Sequence, residues 1–350
     1  PHIAIIDRLR ERIENEELRI GNRELGIKNL EFLYIGSREG LEKTLLKDTG
    51  IKFQPIFTGK LRRYFSFENF VDFLKLPLGF FQSLFYIFRF QPDVIFSKGG
   101  YVSVPVVLAG FCLRKKIILH ESDLTCGLAN RICMRFADQI LLGQEESRKN
   151  FQNQKNIEVV GIPIRNFIVK GDKKDAADIL KFTQTLPILL IMGGSLGAQA
   201  VNEVIWESLK ELTQKFNVVH ITGKVLNSEY QVLSTKYQNY RSFEYVDKEL
   251  PDFYALADVI VSRAGANSLA ELSCLNKKVL LIPLPKFASR GDQIDNAKVF
   301  VKKYGGKVLM QEELSKEYLM KNLDDLFAMP VQNNRQNSIH LLAADRILGI

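Results

Sequence analysis

Short apolar runs, each closed by glycine or a small polar residue and followed by a longer amphipathic stretch, recur along most of this chain. Such alternation predicts strand and helix in turn, the pattern of parallel sheets covered on both faces. In the first half, strands are expected at 30–36, 52–57, 93–97, 116–120, 139–143 and 157–161. In the second half they are expected at 188–193, 218–223, 243–246, 258–262, 278–284 and 307–310. The fold class that follows is α/β, with two doubly wound, Rossmann-like sheets.

The chain opens on a helical pattern, with Ile3, Ile6, Leu9 and Ile13 on one stripe and Pro1 suited to a first turn. A βαβ unit places a strand before such a helix, so a strand and its loop are expected ahead of Pro1. Between Gly161 and Leu186 the basic run at 170–174 comes without a strand pattern, which sets a domain boundary near residue 164. Two domains result, 1–164 and 165–335, and a terminal helix at 336–350 is expected to return to the first. A length of 350 residues agrees, since a domain usually takes about 100–200.

Composition adds two facts. Cys112, Cys126, Cys133 and Cys274 form no CxxC pair and have no histidine at ligand spacing, so they are expected to be reduced structural thiols, with no metal site. Basic residues outnumber acidic ones by 48 to 40, and residues 1–165 hold 25 against 19. The positive field is thus N-terminal. A nucleic-acid partner is conceivable on charge alone, but the basic residues are interleaved with aromatic ones, which favours an anionic lipid surface and no nucleic acid. The opening has too short an apolar run and too much charge for a signal peptide.

Residues 64–90 contain 11 aromatic residues among 27, against 10% for the whole chain. The longest uncharged run, Leu76 to Phe88, has 13 residues and is too short to span a bilayer. One reading is a pair of helices packed into the core. The other is an apolar patch, with Phe80, Phe81 and Phe85 meeting lipid and Lys60, Arg62 and Arg63 meeting anionic head groups. Different faces can satisfy both.

Candidate chemistry gathers at the ends of strands. In ILLIMGGSLGAQAVNEV (188–204) an apolar strand runs into Gly193, Gly194, Ser195 and Gly197 and then a helix, so backbone N–H groups can face an anion. A second strand-turn-helix, DVIVSRAGANSLAELS (258–273), offers Ser262, Gly265, Ala266, Asn267 and Ser268 in the turn. Glu271 follows one helical turn later, where its carboxylate can accept hydrogen bonds from a ribose diol. In 280–300, Gln293 and Asn296 can both donate and accept, which suits sugar hydroxyls. In the first half, Gly99, Gly100, Tyr101 and Ser103 of FSKGGYVSVP, with Asn130 of ILHESDLTCGLAN, are candidate acceptor contacts. Glu121 is a candidate general base, with His120 as its rival, although a hydrogen-bonded structural role for His120 is equally open.

In this order KGGYVSVP, HESDLTCGLAN, GIPIR, GGSLGAQAVN, SRAGANSLAE and GDQIDNA resemble the MurG family, the peptidoglycan N-acetylglucosaminyltransferases of bacteria, over nearly the whole chain. FTGKLRRYFS and ASRGDQ look closest to its Gram-positive branch. The resemblance implies a GT-B fold, two Rossmann-like domains facing a cleft, with acceptor on the first and donor on the second. It implies inverting transfer of GlcNAc from UDP-GlcNAc to the C4 hydroxyl of lipid I, the undecaprenyl-pyrophosphoryl-MurNAc-pentapeptide, giving lipid II. An enzyme of that kind would sit peripherally on the cytoplasmic side of the cell membrane and serve cell-wall synthesis and division beside other proteins of that machinery. By matching positions, Ser195 meets the donor diphosphate, Arg165 and Gln293 bind donor, Glu271 takes the ribose and the backbone of Val246 takes the uracil. Asn202 belongs to the same glycine-rich motif.

Two departures are visible. The family carries a Gly-Gly-His loop ahead of the position of Pro1, expected to bind acceptor diphosphate and to supply a candidate catalytic histidine, and His2 is not its equivalent. Asp123 stands where many members have an asparagine on the donor sugar. With no DxD motif beside the donor loops, neither a metal nor another bound cofactor is required. The alternatives are a lipid galactosyltransferase, a UDP-GlcNAc 2-epimerase, or a membrane-associated nucleotide-sugar-binding module without turnover.

Overall fold

The computed structural model describes all residues except 15–18, 21–22, 25–29, 39–41, 48, 60–66, 153, 195–197, 224–231, 288–290 and 331–337. At 19–20, 23–24, 44–45 and 67–74 it describes the backbone alone. The chain divides into two compact units, one formed by Arg8–Gly161 with Arg346–Ile350, the other by Pro1–Asp7 with Ile162–Asp345.

The division falls inside α1 (His2–Glu14). The expected stripe of Ile3, Ile6, Leu9 and Ile13 is only half-buried, and the buried positions are Ala4 and Ile5. Periodicity located the helix but rotated its inner face. Two-residue strands β1 (Arg19–Ile20) and β2 (Arg23–Glu24) then pair antiparallel. Strands β3 (Leu33–Ser37) and β4 (Lys52–Ile56) pair in parallel around the short α2 (Glu42–Leu45). After α3 (Phe67–Phe90) come β5 (Val94–Ser97), α4 (Ser103–Cys112), β6 (Lys116–Glu121), α5 (Leu128–Cys133), β7 (Gln139–Leu142) and β8 (Ile157–Val159). These four strands form a parallel sheet in sequence order, separate from the β3–β4 pair. Ile87 of α3, Val107 and Ala109 of α4, and Ile95, Ile117 and Leu119 of the strands build its core.

The second unit holds α6 (Lys173–Leu180) and a parallel six-stranded sheet of β9 (Ile188–Met192), β10 (Asn217–Ile221), β11 (Tyr240–Phe243), β12 (Val259–Ser262), β13 (Lys278–Leu281) and β14 (Lys307–Val308). The order is β11-β10-β9-β12-β13-β14, so the winding reverses between β9 and β12. The intervening helices are α7 (Gln199–Glu207), α8 (Leu209–Lys215), α9 (Leu233–Lys236), α10 (Leu250–Leu256), α11 (Ala266–Ser273) and α12 (Asp292–Tyr304), with α13 (Lys316–Ala328) and α14 (Ala343–Leu348) last. Leu190, Val219, Ile260 and Val279 enter one buried cluster, while Leu189, Ile191, Val218, Val259 and Val261 enter the other. Burial on both faces explains why these strands read as unbroken apolar runs.

Three expectations are corrected. The strand placed at 243–246 lies earlier, at Tyr240–Phe243, in register with Val218–Ile221; Tyr240 is fully buried while Glu244 and Tyr245 are exposed. The aromatic segment forms one 24-residue helix with Pro77 inside it, not a pair. The tail at 336–350 does not return whole to the first unit. Its described residues through Asp345 group with the second, where Ile162 N–H donates to His340 Nδ1 at 2.8 Å and Ser273 Oγ lies 2.9 Å from Ser338 Oγ. Only Arg346–Ile350 group with the first, where Lys116 Nζ donates to the Ile350 carbonyl at 3.2 Å.

Candidate functional site

In the second unit two strand-to-helix turns leave the sheet side by side, because Met192 and Ser262, the last residues of β9 and β12, are register partners. A crevice at such a reversal of strand order is where open α/β sheets bind ligands. Gly193 and Gly194 open the first turn, and Gly194 has φ +91, a conformation that side chains other than glycine resist. Ser195 and Gly197, assigned to the donor, lie outside the described residues. The second turn runs from Ser262 to Gly265 and into α11, whose first turn has no side-chain cap. Uncapped N–H groups and the helix dipole make this end receptive to an anion. Ala266, Asn267 and Ser268 form that first turn. The Ser262 hydroxyl donates to the Arg263 carbonyl at 3.0 Å, so it serves the turn itself.

Glu271 stands one turn further along α11. Tyr254 Oη donates to its Oε2 at 3.2 Å, and Arg165 acts on it electrostatically. Burial raises the carboxyl above the usual glutamate range, an effect that the Arg165 charge opposes. Arg165 Nη1 donates to Asp247 Oδ1 at 2.6 Å, and its guanidinium stacks 4.6 Å from the Phe167 ring centroid. Val246 precedes Asp247 in an irregular segment beyond β11, outside the sheet ladder. Arg165, Val246 and Glu271 therefore belong to one neighbourhood, although they are far apart in sequence.

Other assigned residues do different work. Asn202 is 2% exposed; its Oδ1 lies 3.0 Å from His220 Nε2 and its Nδ2 donates to the Thr222 carbonyl at 2.9 Å. His220 continues to Tyr240 Oη at 3.0 Å, which also accepts from Trp206 Nε1 at 3.1 Å. Burial takes His220 down to about 3, so its ring is neutral. Asn202 thus braces α7 against β10. Asn296, 1% exposed, donates to the Ala264 carbonyl at 3.4 Å and ties α12 to the second turn. Gln293 Oε1 accepts from Leu284 N–H at 3.0 Å and shapes the segment after β13.

In the first unit, β5 is followed by Lys98, Gly99 and Gly100, and both glycines have φ +85. Ser103 Oγ donates to the Gly100 carbonyl at 2.6 Å, closing the turn into α4, with Tyr101 between them. A Cβ on Gly99 would lie 2.4 Å from Asn130 Oδ1. Asn130 Nδ2 in turn donates to Glu121 Oε2 at 2.8 Å, so the two acceptor segments pack through one asparagine. We expect Gly99→Ala to add about 1–3 kcal/mol of backbone strain, before any clash. Transfer should fall while UDP affinity stays at the parental value, and weakened UDP binding would show that the damage is not local.

The two candidate bases are both engaged. Glu121 accepts from Asp123 N–H at 3.0 Å, Gly127 N–H at 3.2 Å and Asn130 Nδ2, so most of the roughly four acceptor positions of a carboxylate are filled. It is an organiser of the 122–130 loop before it is a proton acceptor. His120 is fully buried, and its Nε2 donates to the Gly161 carbonyl at 2.8 Å, the structural reading left open above. Sequence reasoning passed over Lys98, although KGG was in view: its Nζ is buried without a hydrogen-bond partner, and burial lowers it to about 7 against the pull of Glu121 and Asp123. It also missed Tyr254 and Asp247, which carry no motif. Among the described residues no group of three or more His, Cys, Asp or Glu could hold a metal ion.

On α3, Leu78, Phe81, Phe85 and Phe88 are exposed at helical spacing, Phe81 by 64% and Phe85 by 57%. Phe80, grouped with them from the sequence, instead packs on the core with Leu84 and Ile87. Lys60, Arg62 and Arg63 lie outside the described residues. No described helix is long and apolar enough to cross a membrane.

Residues 22–142 match the glycosyltransferase family 28 N-terminal domain and residues 188–347 its C-terminal domain. A Bacillus cereus protein named UDP-N-acetylglucosamine--N-acetylmuramyl-(pentapeptide) pyrophosphoryl-undecaprenol N-acetylglucosamine transferase 2 is 40% identical over 349 residues, covering all of this chain and 92% of its own. A Clostridium botulinum transferase of the same name, without the numeral, is 43% identical over 304 residues, covering 87% and 85%. Among solved structures, Acinetobacter baumannii MurG superposes with a TM-score of 0.70 over 99% of this chain and 93% of its own, at 22% identity. A Neisseria meningitidis UDP-GlcNAc 2-epimerase bound to UDP-GlcNAc gives 0.60 over 91% and 90%, at 14% identity, so it shares the fold alone. With two α/β units, parallel sheets and relatives of this identity along its full length, the chain belongs to the MurG family of glycosyltransferase family 28 and has its GT-B fold.

Proposed function

We propose that this enzyme transfers GlcNAc from UDP-GlcNAc to the C4 hydroxyl of lipid I, with inversion, forming lipid II for peptidoglycan. The observation that carries the reading is the pair of turns leaving β9 and β12 together, with an uncapped α11 and a carboxylate one turn inside it. An anion fits the turns, and a ribose diol fits Glu271. In that arrangement Ser195, Gly197 and the N–H groups at 265–268 hold the donor diphosphate, Arg165 and Gln293 support it, and the Val246 backbone meets the uracil. The acceptor hydroxyl attacks the anomeric carbon as the bond to the diphosphate breaks, and its proton passes to a general base, the role proposed for Glu121. Fixed backbone dipoles stabilise the charge that UDP takes away, and no resident metal or other cofactor is part of the scheme.

The turn at Gly99 and Gly100, with Tyr101, Ser103 and Asn130, receives the acceptor. The exposed face of α3 rests on the cytoplasmic leaflet of the cell membrane, where the lipid-linked acceptor is held. Nucleic acid has no part. The activity places the chain among the proteins of wall growth and division.

The test is incubation of the chain with UDP-GlcNAc and a lipid I analogue in vesicles. Formation of a lipid-linked disaccharide with release of UDP is expected. Conversion of the donor to its C2 epimer would replace the reading with an epimerase, a relation of fold that the Neisseria structure makes concrete. Donor binding with no product would leave a binding module.

A further inference from the structure

In the second unit one guanidinium pairs with Asp247 and acts electrostatically on Glu271. The short contact of Arg165 is to Asp247 Oδ1, at 2.6 Å, while the contact of Glu271 is to the Tyr254 hydroxyl, at 3.2 Å. Stacking on Phe167 restricts the plane of the guanidinium. Both partners of the ion pair are partly exposed, and such pairs contribute little to stability. The reason for the pair therefore lies elsewhere.

We propose that Asp247 is a positioning residue, which draws the Arg165 guanidinium to itself and so leaves the Glu271 carboxylate open to the ribose diol of the donor. The inference rests on the ribose assignment of Glu271. An arginine fork matches a carboxylate closely, often through two parallel hydrogen bonds. Were Asp247 neutral, Glu271 would be the remaining carboxylate on this guanidinium. A Glu271 paired in that way would have fewer lone pairs to offer the ribose, and donor affinity would fall even though no donor contact had been removed.

The electrostatics supply a signature. Burial and Asp247 oppose the charged form of Glu271, whereas Arg165 favours it and the Tyr254 hydroxyl donates to it; the Cys274 thiol is raised by burial. Ribose binding needs the carboxylate, so affinity holds at higher pH and is lost as pH falls through the raised pKa. Asp247→Asn removes a negative neighbour and turns the guanidinium towards Glu271. Both changes lower the Glu271 pKa. The variant should bind UDP more weakly on the plateau, by roughly tenfold, the effect of one compromised charge-assisted hydrogen bond. Its acid limb should at the same time move to lower pH. A loop merely disordered by the substitution would lose affinity without that move.

The experiment is calorimetric titration of UDP into the full chain across a pH series, for the parent, Asp247→Asn, Asp247→Glu and Glu271→Ala, with circular dichroism to confirm folding. Weaker plateau binding with a lowered acid limb in Asp247→Asn, and recovery of both in Asp247→Glu, is the expected result. Parental affinity, tighter binding or an unmoved limb in Asp247→Asn would overturn the proposal. If Asp247→Asn fails to fold, Asp247→Glu decides: it must keep the parental acid limb, and a limb displaced to lower pH would overturn the proposal. Should Glu271→Ala also bind UDP as the parent does, the ribose assignment itself has failed; should it alone weaken binding, only the role of Asp247 has.

Discussion

Phe81→Ser together with Phe85→Ser is expected to weaken partitioning onto anionic vesicles by about 3 kcal/mol or more, roughly a hundredfold, if each ring is buried in lipid as an apolar side chain is in a core. These two rings share the outer face of α3 with Leu78 and Phe88, whereas Phe80, Leu84 and Ile87 turn inwards. The pair can therefore be exchanged without opening the core. Surface substitutions of this kind usually change stability by no more than about 0.5 kcal/mol. Co-sedimentation with vesicles measures the partition, and thermal unfolding checks the fold. Equal partitioning of variant and parent would remove α3 from the membrane reading.

Glu271→Ala is expected to cost about 1–3 kcal/mol of UDP affinity, the range for a hydrogen bond to a charged group. The loss should be largest above the raised pKa of Glu271, where the parent carries the carboxylate, and should shrink at lower pH as the parent itself becomes protonated. Tyr254 donates to the same carboxylate from a fully buried ring, so its phenol helps to orient Oε2. Calorimetry with UDP alone reads the effect without the acceptor. An affinity independent of residue 271 would dissolve the link between α11 and the ribose.

Strand positions could be anticipated from the runs of apolar residues because both faces of the second sheet are buried, and most strands lie within a residue or two of expectation. The displaced one, β11, is instructive. Its pattern was read from Phe243, Tyr245 and Val246, but the residue that anchors it is Tyr240, whose hydroxyl completes a polar chain through His220 to Asn202. Local periodicity is blind to such a partner. The same blindness hides the bonds that Asn202 and Asn296 make to backbone carbonyls. Glu121 was singled out as a reactive carboxylate. Its engagement by two loop amides and Asn130 depends on how 122–130 folds back, which no spacing reveals. Arg165, Val246 and Glu271 were grouped by resemblance, and the ion pair with Asp247 that organises them emerges only in three dimensions.

The nearness of β9 to β12 bears on how the second unit reaches its native state. Ile188 and Asp258, bonded at the entry to these strands, are separated by 70 positions, with β10 and β11 made in between. Pairing so distant in sequence closes late and slowly, because chain entropy is lost before contacts repay it. With only sequence-neighbouring strands joined, β9 and β12 stand in separate blocks, so the two turns do not meet and no receptor for a nucleotide exists. Recovery of UDP binding during refolding therefore times the closure of the central strand pair, and saturating nucleotide should slow the unfolding of this half of the molecule by holding that pair shut.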